Sequence, residues 1–164
     1  MNAIALRRDD KAVDLLESLA TEADHNVSEA AIMQLAAIAT PAAIECLISL
    51  AGNRQLRESA SAALARLAPA HVDRVGSGLK NSAVEVRRAV VEVLGRTRHP
   101  RASQLLAEAL DDDAAPVRLG AIVGLERIGN PQNWERKLLS LARSDPDSSV
   151  RDAARQALER WAAR

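Results

Sequence analysis

The stretch Asp111–Pro131, DDDAAPVRLGAIVGLERIGNP, decides how the chain is read. It opens on aspartates, which favour a helix start, and closes on Gly-Asn-Pro, which favours a stop. The small and aliphatic residues between them do not alternate with polar ones, so the segment predicts an amphipathic helix rather than a strand. Indexed from Val117, the pattern recurs: its anchors Val27, Leu56, Val86, Val117 and Val150 are 29, 30, 31 and 33 residues apart.

The agreement extends beyond the anchors. Four residues on stand Ala31, Ala60, Val90, Ala121 and Ala154, and eight on stand Leu35, Leu64, Leu94, Leu125 and Leu158. Eleven on come Ile38, Leu67, Thr97, Ile128 and Trp161. These offsets share one face of an α-helix, so the anchors are expected to lie in the core. At offset 3, Ala30, Ser59, Ala89, Gly120 and Ala153 are small enough to let neighbouring helices approach closely. Pro41, Pro69, Pro100 and Pro131 are expected to stop four of these helices. Between them KAVDLLESLA, AAIECLISLA, AHVDRVGSGL, RASQLLAEAL and NWERKLLSLA predict second helices with a wider apolar face. The unit is a hairpin of helix A and helix B. One such hairpin cannot bury its own apolar face, but a stack can. VGSGLKNS, Val75–Ser82, reads as a loosened end of helix A in its repeat rather than a phosphate loop, because it lacks GxxxxGK[ST].

Composition agrees with an all-α protein. Of 164 residues 48% are apolar, yet Phe and Tyr are absent and Trp occurs twice, so Ala, Leu, Val and Ile must build the core. Basic and acidic residues balance at 22 each, which gives no strong attraction for nucleic acid or an anionic membrane. Cys46 stands alone among aliphatics, which excludes an internal disulfide and predicts a buried thiol in a reducing compartment. No apolar run is long enough to span a membrane, and MNAIALRRDD lacks a cleavage site, so the expected location is cytoplasmic.

A helical hairpin repeating near 30 residues resembles the HEAT-like repeat family, in particular the short bacterial repeats of the phycobilisome-lyase type. The residues that carry the resemblance are the Asp-x-Val-Arg start, the Ala-Ala, Ala-Leu and Ile-Gly steps, and the Pro after helix B. It covers residues from about 20 to 164. It implies a right-handed α-solenoid of about five stacked antiparallel hairpins in one domain, 1–164. Its repeats would run approximately 11–40, 41–69, 70–100, 101–131 and 132–164, after a partial or capping repeat at 1–10. NAIALRR reads as the last turns of a helix B, either a degenerate cap or the remnant of a longer array. At the other end Trp161 takes a core slot and is expected to cover the Leu158 layer.

Catalytic signals are missing. His25, His71 and His99 fall in separate turns without a second ligand at metal spacing. Asp111-Asp112-Asp113 is explained by capping a helix N-terminus. The expectation is a protein without enzymatic activity, metal or cofactor.

Two arginine columns remain. The first, at offset 1, is Arg57, Arg87, Arg118 and Arg151. The resemblance implies a structural role for it, pairing with turn aspartates such as Asp113 and Asp145 or Asp147. The second, at offset 10, is Arg66, Arg96, Arg127 and Arg160, on a stripe turned away from the leucine core. The resemblance implies that this stripe faces a concave groove, which would also hold Arg88, Glu92, Leu119 and Val123. Glu92, Glu126 and Glu159 stand where they could neutralise part of the row. The reading is a protein–protein interaction scaffold whose groove takes an acidic segment with aliphatic anchors. Alternatives are a bilin-lyase-like chaperone or lyase subunit, implied by the resemblance alone, and a structural repeat domain of a larger protein. Nucleic acid is disfavoured by zero net charge and the lack of aromatics at groove positions.

Overall fold

The computed structural model describes residues 3–22, 24–129 and 134–163, with side chains from Lys11 onward. Every regular element among them is helical. In chain order they are α1 (Ala3–Glu22), α2 (His25–Ile38), α3 (Pro41–Gly52), α4 (Arg57–Gly76), α5 (Val84–Arg96), α6 (Pro100–Ala109), α7 (Ala115–Ile128), α8 (Glu135–Ser144) and α9 (Ser148–Ala162). A single 3₁₀ turn, Ser77–Lys80, follows α4.

Local chemistry sets most boundaries. Asp24 caps α2 by accepting from the Val27 N–H at 3.1 Å, and Asp147 caps α9 by accepting from Ser149 and Val150. Pro41 and Pro100 occupy the first turns of α3 and α6, where a missing N–H costs nothing. Pro69 departs from expectation. Helical structure continues past it, and the backbone leaves helical geometry only at His71 (φ −131°, ψ 33°). α4 therefore holds two runs, the B helix of one hairpin and a short A helix of the next, which unwinds into the 3₁₀ turn as VGSGLKNS suggested. Pro131 lies outside the described residues.

The hairpins stack into an α-solenoid. The B helices α2, α4, α5, α7 and α9 form one layer in which each packs on the next, whereas α6 and α8 of the other layer make at most marginal contact. The leucine column runs through the centre: Leu35, Leu64, Leu94 and Leu125 are all fully buried. Each removes a side chain worth about 2 kcal/mol from water. The anchors Val86, Val117 and Val150 are buried too. Val27 is not, at 39% exposed. Val86 is covered by α3, one hairpin earlier, where it packs against Gly52. No described helix precedes α1 to do the same for Val27.

The closest approach in the B layer is α5 against α7. A methyl added at Gly95 would stand 2.7 Å from the Gly124 Cα, and one at Gly120 would stand 2.9 Å from Val91 Cγ1. At the far end Trp161 is half-buried and tilts at 55° against buried Trp134, with ring centroids 6.4 Å apart. This aromatic pair closes the last layer, where Leu158 is only partly buried.

Candidate partner-binding groove

The two arginine columns separate cleanly. In the first, Arg87 donates from Nε and Nη2 to both oxygens of Asp112 at 2.7 and 2.9 Å. Its Nη1 donates to the carbonyls of Asn81 and Ser82, in the turn before its own helix. Arg118 repeats the arrangement one hairpin on, with Asp145 at 2.8 and 2.7 Å and the carbonyls of Asp112 and Asp113. Arg151 keeps the carbonyl half, on Asp145 and Pro146, and Arg57 reaches Glu85 at 2.5 Å. Arg87, Arg118 and Arg151 thus close their own turns, and Arg57, Arg87 and Arg118 grip a carboxylate of the following hairpin.

The partner within the triple aspartate is Asp112, not Asp113. Asp112 stands two residues before Ala114, which precedes α7, and accepts the Ala114 N–H at 2.9 Å, which fixes its carboxylate inside the turn. Asp145 does the same with the Asp147 N–H. Asp113 contributes only its carbonyl to Arg118, and no aspartate side chain caps α7. Burial alone would raise the carboxyls of Asp112 and Asp145. The hydrogen bonds from Arg87 and Arg118 respectively, together with those backbone N–H groups, outweigh it and hold both below the ordinary range.

The second column is solvent-facing. Arg66, Arg96, Arg127 and Arg160 are all exposed. Arg96 pairs with Glu92 at 2.8 Å, and Arg160 pairs with Glu126 at 2.9 Å. Arg66 and Arg127 make no ion pair with a described residue. Between α5 and α7 lies a recess of about 330 Å³ that brings together Arg88, Glu92, Leu119, Val123 and Arg127. Gly95, Gly120 and Gly124 line it without side chains and leave room for it. Val123 is 46% exposed there, while Leu119 leans partly on the core. Arg96 opens instead onto an adjoining cleft of about 910 Å³, which shares Gly95 and Arg127 with the recess. Arg66 and Arg160 line neither.

Sequence reasoning missed Arg98. It follows α5 in the turn to α6, where no helical offset applies, yet it lines the larger cleft with Arg96 and Arg127. The sequence signal that could have marked it is the run Arg96-Thr-Arg98-His99, three basic-type side chains within four residues.

Elsewhere there is little to support chemistry. Burial, with the nearby charges of Glu17 and Asp14, pushes the Cys46 thiol up to about 12, so it stays protonated and unreactive. Among the described residues no three His, Cys, Asp or Glu side chains are grouped to hold a metal, and no helix is long and apolar enough to cross a membrane.

Compared with known families, the sequence matches the HEAT repeats family over residues 1–68, 50–126 and 72–159, overlapping matches that together span nearly the whole chain. The chain belongs to the HEAT-repeat family. No curated protein matches it in sequence. Among solved structures, this HEAT-repeat chain is similar to a designed armadillo repeat protein in complex with a (KR)4 peptide, at 20% identity and TM-score 0.48, over 89% of this chain and 80% of that one. It is also similar to an engineered protein, a target of the Northeast Structural Genomics Consortium, at 22% identity and TM-score 0.49, over 92% of this chain and 79% of that one.

Proposed function

We propose that the chain is a non-catalytic interaction module that holds a segment of a partner protein along its B-helix face, the segment being acidic with one or two aliphatic anchors. The observation that carries this reading is the recess between α5 and α7, where half-exposed Val123 and partly buried Leu119 sit beside Arg88 and Arg127. An exposed aliphatic rimmed by charge is the composition of a small protein contact rather than of a solvated helix face. The packing supports the same face. The B helices pack on one another along the whole row, whereas α6 and α8 barely touch, as a stack concave on its B side would have it. The module fits a reducing compartment such as the cytoplasm, where Cys46 remains a thiol.

The test is capture of partners by the tagged chain and by its Arg96→Glu, Arg127→Glu variant at moderate salt. Charge reversal of both guanidiniums is expected to weaken a partner held in the groove by about tenfold or more. Undiminished retention of every captured protein by the variant would exclude the groove.

A further inference from the structure

The larger cleft carries positive charge that the stack does not use. Arg96, Arg98 and Arg127 all line it, together with His99, and no described residue lining it is acidic. Arg96 has Glu92 as a partner, but Arg98 and Arg127 make no hydrogen bond or ion pair with any described residue. A second cleft, of about 470 Å³, shows the ordinary alternative: four acidic residues share its wall, and Arg101 there pairs with Asp73 and Glu108.

Gathering three guanidiniums around one void, two of them without a partner among the described residues, opposes folding through mutual repulsion. The architecture does not demand it. Arg98 lies outside every helix, and the stacking role belongs to the other arginine column. Planar guanidinium forks match oxyanions, carboxylate or phosphate, with two parallel hydrogen bonds. Gln104 and Ser103 add neutral polar groups to the same wall.

We infer that this cleft is an oxyanion subsite, taking phosphate or clustered carboxylate groups of the partner segment whose aliphatic anchor lies in the adjoining recess. The inference rests on the groove reading for the identity of the ligand, and on the uncompensated cations for the subsite itself. The shared boundary at Gly95 and Arg127 would let one extended segment fill both.

The protein carries its own reporter. Trp134 lines the cleft, Trp161 packs against it, and with no Tyr or Phe in the chain the intrinsic fluorescence comes from these two indoles alone. Three probes would be titrated at low salt: inorganic pyrophosphate, a peptide of glutamates ending in two leucines, and its counterpart with phosphoserines in place of glutamates. Each is expected to give a saturable fluorescence change. Arg98→Gln, at an exposed side chain without described partners, is expected to weaken all three by roughly tenfold, the loss of one charge-assisted interaction. A tighter phosphoserine peptide would support the site with phosphate as the group it takes, and parity would support it with carboxylate. No saturable response, or a response that Arg98→Gln leaves unaltered, would overturn the inference. Val123→Asp separates the two readings. Loss of peptide affinity with pyrophosphate binding intact supports both; unaltered peptide affinity, with Arg98→Gln still weakening pyrophosphate, removes the groove and keeps the subsite.

Discussion

Arg118 and Asp145 show what a single residue contributes here. Their side chains are only 8% and 2% exposed, and every nitrogen of the guanidinium fork donates to an oxygen. Removing one partner leaves a buried charge without compensation, so Arg118→Ala is expected to destabilise the protein by about 3 kcal/mol in chemical denaturation at neutral pH. The companion variant Asp145→Asn should show a pH signature. The Asp145 carboxyl is held below its ordinary range in the folded protein, so its contribution is complete above the unfolded value near 4 and disappears as pH falls through the lower, folded value. The stability gap between Asp145→Asn and the parent should therefore narrow on acidification below about pH 4; a gap constant from neutrality to pH 2 would contradict the assignment. Ala39 is the one described non-glycine residue with positive φ, at 49°, and it ends α2. Ala39→Gly should stabilise by about 1 kcal/mol in the same assay by relieving that left-handed strain.

At the scale of helices, the B layer is built by leaving side chains out. Gly95 and Gly124 let α5 and α7 meet nearly backbone to backbone. Alanine is the better helix former by about 1 kcal/mol, yet Gly95→Ala is expected to cost about 2 kcal/mol net, because its methyl would meet the Gly124 Cα at 2.7 Å and backbone cannot rotate away. Gly120→Ala should be milder, since the obstacle is a Val91 methyl. Thermal melts of the two variants compare them directly, and equal losses would mean that the close contact is not what limits the pair. The same glycines leave room for the recess beside Val123, so packing and the candidate groove share one cause.

Across the whole molecule, the arginine clasps tie hairpin to hairpin: Arg57 to Glu85, Arg87 to Asp112, and Arg118 to Asp145. The first B helix has Ser28 at the corresponding position and so brings no guanidinium of its own to the clasp. Stability in stacked repeats is close to a sum of unit and interface contributions. Hydrogen exchange is therefore expected to be faster in α1 and α2 than in α5 and α7, where a clasp and the glycine contact coincide. Uniform protection along the stack would show that the clasps are not what grades it.

The α-solenoid was legible because each helix repeats one local rule. Leucine at offset 8 and small residues at offset 4 pattern a buried face wherever the period falls, and the proline and aspartate signals act within a turn. The structural role of the arginine column at offset 1 came from the resemblance to HEAT-like repeats rather than from the pattern itself. Its aspartate partner was misplaced by one residue, because the choice between Asp112 and Asp113 depends on a turn that fixes one carboxylate and leaves the other outside. What the tertiary structure alone decided lies between helices. Of the eight side chains read as one groove, it brought Arg88, Glu92, Leu119, Val123 and Arg127 into a recess, set Arg96 beside Arg98 in a different cleft, and left Arg66 and Arg160 outside both. Periodicity assigns a residue to a face of its own helix. How closely two faces approach depends on which side chains are missing at their crossing, and that separation determines where a cleft opens.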